Sequence, residues 1–277
     1  MDHSGGSKEL GVNQGEVETA RLVQRCLIEA LKEIARRCNG VAVEQRGLFL
    51  AAGNHPYPGL VNSVLRTGEM DAAEVLARAE TFFGELENQY ELWTRKGVDE
   101  DLEKAAQDAG MRFAGEFSGM VMHEAPEVGD APEGVDVRRV RDAADAREFA
   151  KVAAEAFRGE APGAEEVVRA IFRDAESLLG EETAAFVARD HGKPASVAMT
   201  MMKEGVAWIG WVGTIPEMRG RGLGRLTTAA ATRAGFALGG KFASLEATKM
   251  GLPVYRRLGY REIVRYRNYW SQEERER

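Results

Sequence analysis

The chain has 277 residues, 44% of them hydrophobic and 29% charged, with a formal charge of −7. That is the composition of an ordinary soluble globular protein with room for one large or two ordinary cores. No apolar run approaches the ~20 residues of a membrane span, and the opening Met1-Asp2-His3-Ser4-Gly5-Gly6-Ser7 lacks signal-peptide character, so a cytoplasmic protein with no membrane partner is expected.

In chain order, apolar positions Val17, Ala20, Leu22, Val23, Leu27, Ala30, Leu31 and Ile34 follow a 3.6-residue period and predict a helix from about Gly15 to Arg37. Cys26 and Cys38 fall inside that helix ~18 Å apart, too far for a disulfide, and are read as packing residues. Strands follow at Val41–Glu44, Leu48–Ala51 and Leu60–Arg66, broken by the turn-forming 53–59. Met70–Leu86 reads as a helix with Asp71 near its start. Strand Tyr90–Arg95, helix Glu100–Ala109 and strand Met111–Met122 come next. The four histidines (3, 55, 123, 191) have no ligand-like spacing, so no metal site is expected.

Residues 125–134 are polar, rich in proline and glycine and without period, which reads as a linker between two domains, 1–124 and 135–277. Charge divides there too. Up to residue 125 there are 13 Lys/Arg and 21 Asp/Glu, whereas 126–277 carry 24 and 23. The acidic first half is a poor partner for phosphate or nucleic acid. After the linker the pattern predicts strand Val135–Val140, helices Ala143–Phe157 and Glu165–Leu179, and strands Thr183–Arg189, Ala195–Lys203 and Val206–Thr214. A glycine loop, a helix from Leu226 to Leu238, strand Leu245–Thr248, a short helix and a strand ending at Trp270 complete it. Trp208 and Trp211, three apart on one strand, are expected on opposite faces, one in the core and one free to wall a pocket.

The loop Arg219-Gly220-Arg221-Gly222-Leu223-Gly224 joins a strand to a helix, and a helix start offers unpartnered amides and a dipole that favours anions. Between Arg219 and Arg267 there are 11 Lys/Arg against only Glu246 and Glu262, a local excess that suits an anionic cofactor. A P-loop would need Lys-Ser/Thr after its last glycine, where Arg225-Leu226 stands, and a dinucleotide fingerprint would need a different glycine spacing early in the chain. A nucleotide enzyme using this loop for ATP also lacks a recognisable acid cluster for Mg²⁺.

The spacing resembles the R/Q-x-x-G-x-G/A signature of the GNAT superfamily of acyl-CoA-dependent N-acyltransferases, with Arg219, Gly222 and Gly224 at its fixed positions. Gly251 to Tyr260, with Tyr255 and Gly259, is similar to the ending of that family's domain. The resemblance implies an α/β fold with a mixed, mostly antiparallel sheet flanked by helices, and acetyl-CoA or another acyl-CoA as cofactor. It also implies direct attack by the amine of a small acceptor in a ternary complex. Pantetheine would lie along main-chain groups of Val212, Thr214 and Ile215, and the diphosphate on amides of Arg221 to Arg225 with Gly220 and Gly222 making room. The side chains of Arg219, Arg221 and Arg225 would stand nearby. Thr248 stands where the family often has a cofactor-binding asparagine, and Tyr255 where it has the tyrosine that protonates the departing sulfur.

The family often places a glutamate on the fourth strand as base, but Val206–Thr214 contains no carboxylate. Glu246 is the nearest candidate, with water as the alternative base. The absent carboxylate leaves open a non-catalytic acyl-CoA sensor or scaffold. The first half, without R-x-x-G-x-G, resembles the degenerate N-terminal halves of tandem GNAT proteins, the other reading being an unrelated α/β accessory domain. The acceptor, a small amine, and the oligomeric state, homodimer included, are not fixed by the sequence.

Overall fold

The structure, a computed structural model, describes residues 14–55, 57–59, 61–127, 129–158 and 163–272. The opening heptapeptide with His3, and Pro56, Leu60 and Val128 from the predicted turn, strand and linker, lie outside the described residues.

Helix α1 spans Gln14–Arg37 and buries Val23, Leu27, Ala30, Leu31 and Ile34 along one stripe. It ends where Asn39 turns left-handed at φ 54°, so that Asn39 N–H reaches Arg36 and Gly40 N–H reaches Ala35 carbonyl at 2.8 Å. Cys38 therefore sits at the cap and not inside the helix. Both thiols are buried and unbridged, and desolvation pushes their pKa values up, that of Cys38 to about 11.

Strands β1 (Val41–Gln45), β2 (Leu48–Ala52) and β3 (Ser63–Arg66) lead into α2 (Ala72–Gly84), whose N-cap Asp71 accepts from Ala73 N–H at 2.8 Å. Then come β4 (Glu91–Arg95), α3 (Glu100–Asp108) and β5 (Arg112–Met122). Beyond the predicted linker lie β6 (Val135–Arg139), α4 (Ala143–Phe157) and α5 (Ala164–Ile171). The single helix expected over Glu165–Leu179 is broken. Phe172 is buried between Phe149 and Trp211, and the chain unwinds there before resuming as a 3₁₀ turn at Ala175–Leu179. Strands β7 (Thr183–Asp190), β8 (Lys193–Lys203) and β9 (Val206–Thr214) precede α6 (Leu223–Ala237), β10 (Ala243–Ala247), α7 (Leu252–Leu258) and β11 (Arg261–Trp270).

All eleven strands join one sheet in the order β1-β2-β3-β4-β11-β5-β10-β9-β8-β7-β6. Only β3–β4 and β9–β10 are parallel; the other pairs are antiparallel. The two halves exchange strands. β11, the last strand, lies between β4 and β5, while β5, from before the linker, lies between β10 and β11. The sequence β-β-β-α-β-α-β occurs twice, as β1 to β5 and as β7 to β11, each time with its third and fourth strands parallel.

Helix α1 shares one continuous core with α4 and α5, built on Trp93, Val121, Trp208 and Tyr266. Helices α2 and α3 cover Leu48, Leu50, Val64 and Leu92, whereas α6 and α7 cover Met120, Ile209 and Leu245. Alternation along the strands separates these two sets of side chains. Phe49 and Trp93 point to α1, and their neighbours Leu50 and Leu92 point away from it.

Candidate active site

Parallel strands β9 and β10 are in register at only two positions, Ala243↔Ala207 and Ser244↔Trp208. Past these, β9 continues along β8 while β10 continues along β5, with Leu245 opposite Met120 and Ala247 opposite Ser118. A wedge opens between them. It belongs to a cavity of about 550 Å³ that reaches from the glycine loop to α1.

A bulge on β9 shapes the wedge. Val197 pairs with Gly213 and Met199 with Gly210, so Trp211 and Val212 together stand opposite Ala198, with Trp211 left-handed at φ 52°. Ser196 Oγ donates to Gly213 carbonyl at 2.9 Å and anchors the strand beyond it. The bulge also corrects the expectation for the tryptophans. The extra residue reverses the alternation, and Trp208 and Trp211 pack in the same core on the α1 side, both lining the cavity. Gly210 makes this possible, because a Cβ there would lie 2.1 Å from the Trp208 ring.

The indole of Trp208 lies along the strand and its Nε1 donates to Glu246 Oε2 at 2.9 Å. The other carboxylate oxygen, Oε1, is buried with no hydrogen-bond partner among the described residues. Ser244 and Glu246 point to the α1 face, since Ala243, Leu245 and Ala247 pack on the other. Desolvation outweighs the Trp208 bond and pushes the Glu246 pKa up to about 7. This is no ordinary surface glutamate.

Tyr255, on α7, lies across the sheet from Glu246 and lines the same cavity, in edge contact with Tyr260. Burial raises its pKa, so the phenol stays protonated at neutral pH. The wedge thus joins a buried phenol on the α6/α7 face to a carboxylate on the α1 face.

At the other end, Gly220 and Gly222 adopt left-handed φ values of 79° and 78° just ahead of α6, and a Cβ on either meets nothing within 4 Å. Such an open, left-handed turn at a helix start leaves amides facing outward for an anion. Gly220, Gly222, Gly224, Arg225 and Arg257 line this end of the cavity, as do Val212, Thr214 and Thr248. Thr248 lies just past β10, not in it, and its Oγ1 accepts from Gly251 N–H at 3.2 Å. Arg219 lines the cavity but braces the loop, its guanidinium donating to Thr214 carbonyl at 3.1 Å and Ala156 carbonyl at 3.0 Å. Arg221 turns to Asp190 at 2.5 Å and lies outside the lining, as does Ile215, whose N–H goes to Ala195 carbonyl at 2.9 Å.

Four cavity residues on α1, with Trp93 and Phe117, were not among the sequence candidates. They belong to the first half, and only the packing of α1 across β9 brings them here.

Residues 125–246 match the family model of an acetyltransferase (GNAT) domain. This segment is similar to a GNAT acetyltransferase domain. No curated protein matches the chain. The fold is similar to a GCN5-related N-acetyltransferase from Kribbella flavida, at 21% identity and TM-score 0.68 over 91% of this chain and 95% of that one. A GCN5-related N-acetyltransferase from Sphaerobacter thermophilus gives 18% and 0.63 over 92% and 93%. A tandem GNAT protein from the clavulanic acid biosynthesis pathway gives 13% and 0.57 over 83% and 79%. The GNAT match stops within β10, so α7 with Tyr255, and the β5 and β11 that complete the domain's sheet, fall outside it. Among the described residues, no helix is long and apolar enough to cross a membrane.

Proposed function

We propose that the chain transfers an acetyl or other short acyl group from acyl-CoA to the amine of a small acceptor, by direct attack within a ternary complex. Residues 135–277 carry the chemistry. Residues 1–124 are a degenerate GNAT-like half, and 125–134 connect the two.

Acyl-CoA supplies a thioester whose carbonyl must be held and whose thiolate must be protonated. The glycine loop receives the diphosphate at the α6 N-terminus, with Arg225 and Arg257 adding positive charge at the cavity wall. Val212 and Thr214, at and beyond the bulge, offer main-chain groups to the pantetheine arm and a donor to the carbonyl oxygen. Ile215 contributes less than the sequence implied, its N–H being engaged. Glu246 accepts the proton of an incoming ammonium, directly or through one water, and releases a neutral amine for attack. As the new C–N bond forms and the C–S bond breaks, Tyr255 gives its proton to the sulfur and is reprotonated, directly or through water, by the proton that the acylated nitrogen loses.

The observation that carries the reading is the unpartnered, buried oxygen of Glu246 beside the wedge. An acyl-CoA sensor or scaffold has no use for a desolvated carboxylate, which costs stability unless a cation visits it.

The repeat of the β-β-β-α-β-α-β order supports the degenerate half, and its own acidic residues disfavour a second cofactor site. Asp71 caps α2 where an anion would dock. Asp99 then bridges Arg66 and Arg95 at 2.8 Å each, tying the ends of β3 and β4 together.

The test is release of free CoA from acetyl-CoA across a panel of amines. The reading expects amine-dependent release, with Tyr255→Phe reducing kcat ~10–100-fold while CoA affinity changes little. Saturable CoA binding without any amine-dependent turnover would defeat it.

A further inference from the structure

The cavity is polar at one end and apolar at the other. Its loop end carries Arg219, Arg225 and Arg257 with the glycines; its far end is walled by α1 of the first half through Leu27, Ala30, Leu31 and Ile34. Around that aliphatic wall stand Trp93, Phe117, Phe157, Trp208 and Trp211. Leu27, Ala30, Leu31, Ile34 and Trp93 are each at most 3% exposed, so the far end is closed off from solvent. Among the residues lining it, Glu246 alone bears a charge there, at the border of the two regions.

We infer that the acceptor is a small primary monoamine whose remaining body is apolar, aromatic above all, seated under α1 with its ammonium on Glu246. The inference rests on the acyl-transfer reading and adds the substrate class to it. An ammonium satisfies Glu246 Oε1 and lies against the Trp208 indole, whose Nε1 already fixes the carboxylate. The body behind it meets only carbon and ring faces. A second ammonium, as in a polyamine, or the polar backbone of a lysyl peptide would be buried there without a partner. A long acyl chain would fill the same space but leave Glu246 uncompensated. The half that lost its own cofactor site would then serve the reaction by forming the acceptor pocket.

The experiment compares 2-phenylethylamine and hexylamine with spermidine and L-lysine as acceptors of acetyl-CoA, using the full chain. The inference expects kcat/KM at least ~30-fold higher for the apolar monoamines. Ala30→Leu, which fills the far end, should raise KM for 2-phenylethylamine more than for hexylamine, and Leu31→Ala should favour bulkier arylamines, both with unchanged CoA affinity. Titration of the wild-type tryptophan fluorescence with 2-phenylethylamine gives a readout independent of turnover and of variant folding. Saturable quenching with no CoA release would uphold the pocket while the transfer reading fails. Faster turnover of spermidine or lysine would overturn the inference and leave acyl transfer standing. So would an acyl-length preference for octanoyl-CoA that Leu31→Ala shifts while amine preference stays put. Absence of both quenching and discrimination among amines would overturn it as well.

Discussion

Glu246 is the residue whose environment differs most from what its type alone predicts. Its pKa of about 7, against the usual 4.5, follows from burial that the Trp208 bond and a backbone hydrogen bond do not offset. Activity should rise with pH through about 7 as the carboxylate ionises. Glu246→Gln should lower kcat at neutral pH ~100-fold or more and remove that acid limb from the pH profile. The same shift bears on stability. Because the folded pKa is raised, the native state still holds a proton between about 4.5 and 7 that the unfolded chain has released. Stability therefore falls as pH rises through that window, by up to about 3 kcal/mol, and levels off above it. The neutral glutamine escapes this loss, so thermal denaturation should show Glu246→Gln more stable than the parent at pH 8 and equal to it at pH 4. Equal melting at pH 8 would contradict the assigned burial. The sequence pointed to Glu246 by elimination, as the acid nearest an acid-free strand. What it could not show was Trp208 reaching it, because that contact needs Gly210 and the pairing of β9 with β10.

At the scale of elements, the glycine loop and the β9–β10 wedge act together. Replacing Gly222 with Glu should abolish detectable acyl-CoA binding in calorimetry, since it strains a left-handed residue at φ 78° and sets a carboxylate at the end proposed to receive the diphosphate. Unchanged affinity would remove the loop from the site. Most elements were legible, because their signals are local: a 3.6-residue stripe for α1, Asp142 capping α4, near-continuous buried apolar runs in β7 to β9. The failures were also physical. The bulge at Trp211 depends on pairing with β8, which periodicity along one strand cannot reveal, and it turned two tryptophans to one face. The break after Ile171 depends on Phe172 finding Phe149 and Trp211, both distant in sequence.

Across the whole molecule, strand exchange makes the halves interdependent. Residues 125–277 alone would lack β5 between β10 and β11 and the α1 that covers Trp208. That fragment should be insoluble or bind no acyl-CoA when expressed by itself, and co-expression with residues 1–124 should restore a soluble complex. A stable, CoA-binding fragment would refute this dependence. The linker composition at 125–134 was visible, and so was the α/β order on both sides. Which strand neighbours which was not, because sheet order depends on long-range pairing that no window of sequence contains.

The place of β11 has a consequence for synthesis. A ribosome completes β5 about 140 residues, and β4 still earlier, before the strand that must lie between them. The nascent first half therefore waits with an unfilled gap, two open strand edges exposed, until the last ten residues of the sheet emerge. Such edges attract other chains, so growth temperature and chaperone supply should govern the yield of this protein more than the stability of its finished form does.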